Sequence, residues 1–122
     1  MKLKRIYELA AKDDGKRILV DRLWPRGISK QEARLDLWLK NIGPSPSLRR
    51  AFGHDPKKFV EFEQAYLKEL YQDKERNTAL RQLEEIYAFE KGNITLLYAA
   101  KEERYNHAII LQKILLSTCK KR

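Results

Sequence analysis

Ile94-Thr95-Leu96-Leu97-Tyr98-Ala99-Ala100 is apolar on both of the faces that alternate along an extended chain. A strand at a sheet edge, or with one wet face, alternates apolar and polar residues; a run without that alternation belongs in the middle of a parallel sheet. On its N-terminal side Gly92 closes an amphipathic helix predicted over Thr78 to Lys91, with Leu80, Leu83, Ile86 and Tyr87 on one stripe and Phe89 off it. On its C-terminal side Asn106 caps a last helix, His107 to about Thr118, rich in Ile and Leu. A buried strand with a helix on either side is the unit of an α/β fold.

The rest of the chain supplies partners for that strand. Residues Leu3 to Leu9 alternate with β-formers at the centre and read as a strand. Lys12-Asp13-Asp14-Gly15-Lys16 reads as a turn, and Arg17-Ile18-Leu19-Val20-Asp21 as a second buried strand. Ser29 and Glu32 form a capping box for a short helix through Ala33. Leu35, Leu37 and Leu39 alternate with Asp36, Trp38 and Lys40, which predicts a third strand. Ser45-Pro46 starts a short helix that Gly53 ends, and Asp55-Pro56 starts a longer one carrying Phe59, Phe62, Tyr66 and Leu70 at helical spacing. The order predicts a single compact α/β domain, with a small, mostly parallel sheet flanked by helices, over residues 1–122.

Composition narrows the classes of function. A chain of 122 residues with 43% hydrophobic residues can build a core without metal or disulfide support. It has no apolar run near the 18 residues a membrane span needs, and Met1 to Arg5 lacks the apolar core of a secretion signal, so a soluble cytoplasmic protein is expected, with no membrane partner. The one cysteine, Cys119, excludes an internal disulfide and a multi-cysteine zinc site. The net charge of +9 favours anionic partners, either nucleic acid or small phosphorylated compounds. Only the tail Lys120-Lys121-Arg122 is a pure basic block; the other charges alternate in sign along the helices.

Three polar groups fall just past predicted strands or at helix starts. The first is Arg22, Trp24 and Arg26 in Val20-Asp21-Arg22-Leu23-Trp24-Pro25-Arg26-Gly27. Arginine stays charged and grips carboxylate or phosphate bidentately, and tryptophan offers a flat stacking face. The second is Ser45, with Arg49 one turn into its helix; the third is Tyr98 and Lys101, followed by Asn106 and His107. In an open parallel sheet the carboxyl ends of the strands share one edge, so the three groups can build one cationic pocket there. Each also has a structural reading: Arg22 and Arg26 paired with Asp21 or Asp36, Trp24 and Trp38 in the core, Ser45 a helix cap, Lys101 in a solvated loop. His54 and His107 each stand at a helix entrance and are candidates for acid or base chemistry, or for hydrogen bonding. No carboxylate cluster accompanies them, so no metal site is expected, and no Gly-rich phosphate loop, nucleophile elbow or dinucleotide fingerprint indicates a particular cofactor.

Several of these segments form one linear signature. Asp21-Arg22-Leu23-Trp24-Pro25-Arg26-Gly27, Asp36-Leu37-Trp38-Leu39-Lys40, Pro44-Ser45 with Leu48-Arg49, and Phe52-Gly53-His54-Asp55-Pro56 occur in that order. Phe62 with Tyr66, Thr95 to Lys101, and Asn106-His107-Ala108 complete it. Together they resemble the YeaO-like branch of the bacterial domain-of-unknown-function family 488, from about Ile18 to Leu116. The resemblance implies a compact α/β domain with Arg22, Trp24, Arg26, Ser45, His54, Tyr98, Lys101, Asn106 and His107 as motif positions. The chain departs from that pattern at Ala51, Phe59 and Gly43, where relatives usually carry a bulky aromatic, tryptophan and alanine.

The expectation is therefore a ligand-binding or enzyme-like domain for a small phosphorylated or nucleotide-like compound, with sequence leaving open whether it is an enzyme. Arg22 and Arg26, with Arg49, would hold the anion, Trp24 would stack, and Ser45 and Asn106 would assist at helix starts. His107 or His54 would supply acid/base chemistry, and Lys101 and Tyr98 would orient the ligand. The competing expectation is a nucleic-acid-binding module that uses the net charge and the basic tail. Sequence leaves the oligomeric state open.

Overall fold

The sheet is built around strand β4, Ile94–Tyr98, all five residues of which are buried. β4 pairs with β1 (Lys2–Arg5) on one side and β2 (Lys16–Leu19) on the other, and β3 (Leu37–Trp38) lies outside β2, giving the order β1-β4-β2-β3. All three pairings are parallel, so the expected α/β sheet is parallel throughout. This computed structural model describes residues 1–120; the side chains of 118–120 are outside that description. The Cys119 thiol, the Lys120 side chain and Lys121-Arg122, with them the charges of the basic tail, therefore lie outside what is described. No described helix is long and apolar enough to cross a membrane.

Pleating sends alternate residues of each strand to opposite faces. Ile18, Val20, Ile94, Leu96 and Tyr98 point to the main core. That face is covered by α2 (Pro46–Phe52), α3 (Phe59–Gln72), α4 (Lys74–Phe89) and α5 (His107–Lys120). Phe59, Phe62, Tyr66 and Leu70 form the buried stripe of α3, as their spacing predicts. Phe89, off the stripe of α4, is 84% exposed. The opposite face carries a smaller cluster of Ile6, Leu19, Leu97 and Ala33, under α1 (Lys30–Ala33) and beside Trp24 and Trp38.

Local signals set most element starts. Ser29 and Glu32 make both bonds of the capping box, and Ser45 and Asp55 each accept a backbone N–H of the helical turn they precede. Several boundaries differ from expectation, β2 among them, which ends at Leu19 rather than Asp21. β1 ends at Arg5 rather than Leu9, because the Arg5 N–H donates to the Glu8 carboxylate and the Glu8 N–H to the Arg5 carbonyl, closing a turn. β3 is two residues long. α4 begins at Lys74 rather than Thr78, because Asp73 caps it through the Arg76 N–H.

The smaller face also buries charge. Asp14 is 1% exposed and Arg17 5%, and their side chains meet at 2.6 Å. Lys4 and Lys2 each reach Asp14 at 3.1 Å, the Ala11 N–H donates to it at 3.0 Å, and Arg17 spends its remaining donors on the carbonyls of Ala33 and Arg34. Burial alone would raise the Asp14 carboxyl, but the Ala11 N–H and these three cations hold it well below the usual carboxylate range. Next to it Gly15 has φ +64°, and a Cβ there would sit 2.1 Å from the Asn93 carbonyl oxygen. The same carbonyl accepts the Lys16 N–H, so a glycine is required for β2 to begin against β4.

Because the folded Asp14 carboxyl is depressed, its contribution is complete above the unfolded value, about 3.9, and is lost as pH falls below it. Asp14→Asn should lower stability at pH 7 by about 3 kcal/mol, as breaking a buried ion pair does. The gap to the unmodified chain should shrink between about pH 4 and pH 2, as the Asp14 carboxyl of the unfolded chain takes up a proton that the folded one refuses. Urea midpoints across that range measure it, and a gap independent of pH would contradict the assignment.

Candidate functional site

The carboxyl ends of β1, β2 and β4 open on one edge of the sheet, and the chain that leaves them is stitched together there. Pairing runs on past the strands: the Val20 N–H donates to the Leu97 carbonyl and the Ile6 N–H to the Tyr98 carbonyl. The Ala99 N–H donates to Asp21 Oδ2 at 3.0 Å, tying the loop after β2 to the loop after β4. Arg5, at the end of β1, donates to the carbonyls of Ala99 and Ala100. The Tyr7 hydroxyl donates to the Arg26 carbonyl at 2.6 Å, so the loop after β1 also holds the arginine loop.

Within that arginine loop the two tryptophans are structural before they are anything else. The Trp24 indole N–H donates to the Ile28 carbonyl across the turn at Gly27, where φ is +79°. The Trp38 indole N–H donates to the Asp21 carbonyl, and the two rings meet edge to face with centroids 5.4 Å apart. This packing shapes the loop so that Arg22 and Arg26 are exposed while Pro25 between them is buried. Gly43 touches the same loop: a Cβ there would lie 3.0 Å from the Arg22 backbone nitrogen, so the departure from alanine relieves a close approach.

A cavity of about 410 Å³ lies between these loops and the ends of α2 and α5. Arg22, Trp24 and Arg26 line it from the loop after β2, Arg49 and His54 from α2 and the turn beyond it, and Lys101, Asn106 and His107 from the loop after β4 and the start of α5. Eight of the ten residues singled out in sequence are thus brought together. Asp21 is its one lining carboxylate, against the four cations Arg22, Arg26, Arg49 and Lys101. Among the described residues none of those four side chains makes an ion pair or hydrogen bond. The pairing of Arg22 or Arg26 with Asp21 or Asp36 is therefore not seen. Asp36 instead accepts the Arg17 N–H.

Ser45 and Tyr98 do not line the cavity. The Ser45 hydroxyl donates to Glu69 at 2.5 Å and accepts the Leu48 N–H, while its own N–H donates to the other Glu69 oxygen. Every polar atom of Ser45 is engaged, in capping α2 and in tying it to α3. Tyr98 is buried in the main core at the end of β4, where pleating turns it toward the helices. Burial, with Glu103 and Glu8 nearby, pushes its phenol above the usual tyrosine range and makes it a poorer proton donor.

The sequence reading omitted Tyr7, Asp21, Phe52 and Phe62 from the site, although all four line the cavity. Asp21 and Phe52 stand inside quoted motifs; Tyr7 left no signal, because its position depends on where β1 ends. Phe52 and Phe62 are the apolar floor, 6% and 4% exposed and stacked at 4.3 Å. His54 projects at the rim beside Phe52, with a backbone φ of +58° that non-glycine residues seldom adopt.

His107 is held by two acceptors from the loop after β2. Its Nε2 lies 3.0 Å from the Val20 carbonyl and 3.3 Å from Asp21 Oδ1, a fully buried oxygen with no hydrogen bond of its own. Both neighbours are acceptors, so Nε2 carries a proton in either charge state, and in the neutral ring Nδ1 is the acceptor. Asn106 fixes the start of the helix: its Oδ1 accepts the Ile109 N–H and its Nδ2 donates to the Glu102 carbonyl. Among the described residues no three His, Cys, Asp or Glu side chains are grouped to hold a metal ion.

The chain as a whole is similar to known proteins. The whole chain, residues 1–122, matches the family model described as the inactive DUF488-N3 subclade. The chain belongs to this family. It is 44% identical over 114 residues to the uncharacterized protein YeaO of Escherichia coli K12, covering 93% of this chain and 95% of that one. It is 35% identical over 115 residues to the uncharacterized proteins Rv3073c of Mycobacterium tuberculosis H37Rv and Mb3100c of Mycobacterium bovis, covering 94% of this chain and 92% of each. No solved structure matches this DUF488-N3 chain significantly.

The two fates of the serine and the cations can be separated by mutation. Ser45→Ala should cost about 1–2 kcal/mol in urea unfolding, the usual cost of a lost helix cap. It should leave unchanged any thermal stabilisation that anions give the unmodified protein. A selective loss of that stabilisation would return Ser45 to the site.

Proposed function

We propose that this DUF488-N3 domain is a cytoplasmic binding protein for a small phosphorylated or nucleotide-like anion, held in the cavity at the carboxyl edge of the sheet. The carrying observation is the convergence of Arg22, Arg26, Arg49 and Lys101 on one cavity, with no intramolecular partner for their side chains among the described residues. Cations brought together without a counter-charge repel one another, and an anion bound among them removes that repulsion. The arginines supply forked donors for phosphate oxygens and Lys101 a point charge from the opposite wall. His107, oriented by the Val20 carbonyl and Asp21, presents a defined hydrogen-bonding edge. The description of the subclade as inactive supports binding rather than turnover.

Arg26→Ala tests this reading, because the Arg26 side chain is exposed and, among the described residues, makes no ion pair or hydrogen bond. In differential scanning fluorimetry the variant should melt within a degree or two of the unmodified protein, consistent with about 0.5 kcal/mol or less for an exposed site. Stabilisation of the unmodified protein by millimolar phosphate or AMP should be largely lost in the variant. A variant that unfolds would make Arg26 structural, and an unmodified protein indifferent to every phosphate compound would end the proposal.

A second reading, binding to a nucleic-acid backbone, draws on the net charge of +9 and the exposed cations of the cavity rim. Filter binding to a random-sequence oligonucleotide measures it. Backbone binding should give micromolar affinity that falls steeply with salt, with a log–log slope of about −0.7 per phosphate neutralised on a single strand. A flat salt dependence would exclude it.

A further inference from the structure

The imidazole of His107 is held on one side and open on the other. Nε2 faces the Val20 carbonyl at 3.0 Å and Asp21 Oδ1 at 3.3 Å. That Asp21 oxygen is a fully buried carboxylate atom without a hydrogen bond of its own, lying directly behind the ring. Nδ1 makes no hydrogen bond among the described residues and is not buried, and His107 lines the cavity, so this nitrogen reaches the cavity's solvent. Tyr66 of α3 meets the ring edge to face, but its phenol donates to the Ile42 carbonyl, and burial pushes it well above the usual tyrosine range. Around the cavity stand Tyr7 from the loop after β1, Arg22 and Arg26 from the loop after β2, Arg49 and His54 from α2 and the turn beyond it, and Lys101 from the loop after β4.

With Nε2 protonated, the neutral ring offers only a lone pair at Nδ1, and a fully ionised phosphate or sulfate offers only lone pairs as well. Two acceptors form no hydrogen bond, so an anion seated against this nitrogen requires a proton there. We propose that His107 contacts the anion in this cavity, that it donates to it through a protonated Nδ1, and that binding a doubly ionised oxyanion therefore takes up one proton from solvent. The proposal rests on the anion-binding reading above and adds the residue, the atom and the proton. The surrounding charges couple the two events. Arg22, Arg26, Arg49 and Lys101 oppose a further positive charge while the cavity holds water, and a bound dianion cancels that opposition. Behind the ring, the unpaired Asp21 oxygen favours the cationic form as an opposite charge close by. By linkage, what a bound anion does for the proton the proton does for the anion. Asp21 is then a positioning residue, and His107 is the one that touches the ligand.

Titration calorimetry of the full chain with sulfate and with AMP at about pH 8, in buffers of different ionisation enthalpy, counts the protons. Sulfate brings none, and at that pH the AMP phosphate is past its second ionisation at about 6, so a proton taken up lands on the protein. Each anion should take up about 0.5–1 proton, and its Kd should rise by up to about tenfold per pH unit above neutrality. His107→Gln, which keeps an amide donor for the Val20 carbonyl, should bind more weakly, with no uptake and a nearly flat pH profile. The chain has two histidines, so His107→Gln and His54→Asn assign both imidazole signals in nitrogen-resolved NMR spectra. Either anion should convert His107 Nδ1 from a bare to a protonated nitrogen. If His107→Gln does not fold, His54→Asn leaves His107 as the lone imidazole and its spectrum decides. Binding without uptake, the ring unchanged, would overturn the inference and leave the anion site standing. Uptake that persists in His107→Gln would overturn it too, by placing the proton on His54. If neither anion gives a heat or shifts the melting temperature, the anion-binding reading itself falls.

Discussion

Parallel pairing of β4 with both β1 and β2 is the constraint from which the rest of the structure follows. A strand hydrogen-bonded on both sides and buried on both faces cannot be reached by tight hairpins, because parallel neighbours need crossovers. Those crossovers carry α1 to one face and α2 to α4 to the other, where α5, following β4, joins them. They also send the carboxyl ends of β1, β2 and β4 to one edge, where the residues that follow meet although they are as far apart in sequence as Asp21 and Ala99. The cavity is therefore a consequence of sheet topology before it is a property of any loop.

The domain treats charge in two opposite ways. At one end of the sheet Lys4 and Lys2 close a paired cluster over the buried Asp14 and Arg17, held by the turn at Gly15. At the carboxyl edge Arg22, Arg26, Arg49 and Lys101 are left without intramolecular partners and exposed to water. Solvent makes that arrangement tolerable, since the repulsion of unit charges at high dielectric is about 1 kcal/mol even at 4 Å. The same charges count for more against a ligand that displaces the water. Asp21 belongs to both designs: one oxygen joins two loops, and the other is spent on orienting His107.

Much of the architecture was legible because it is written in local chemistry. The unalternating run at Ile94, the capping box of Ser29 and Glu32, the Ser45-Pro46 and Asp55-Pro56 starts and the Phe59-Phe62-Tyr66-Leu70 stripe all act within a few residues of themselves. Boundaries that depended on a single competing bond were not legible: the Glu8 turn shortens β1 and the Asp73 cap lengthens α4. In the site, motif position marked Arg22, Arg26, Lys101 and His107 but equally marked Ser45 and Tyr98, because a signature records that a residue matters and not whether it serves the cavity or the fold. Glu69, 24 residues from Ser45, decides the serine's role.

The amino-acid order alone specified the fold class, the capped helix starts at Ser29, Ser45 and Asp55, and a set of cationic and aromatic residues that a parallel sheet would collect at one edge. Those are properties of periodicity, capping and charge, which act locally or through topology alone. Only the tertiary structure decided which cations are left unpaired, which serine and tyrosine are absorbed by the fold, and that the cavity floor is Phe52 against Phe62. Partners across the chain make those decisions, since whether a donor, acceptor or charge is free depends on every group that folding brings within about 3 Å of it.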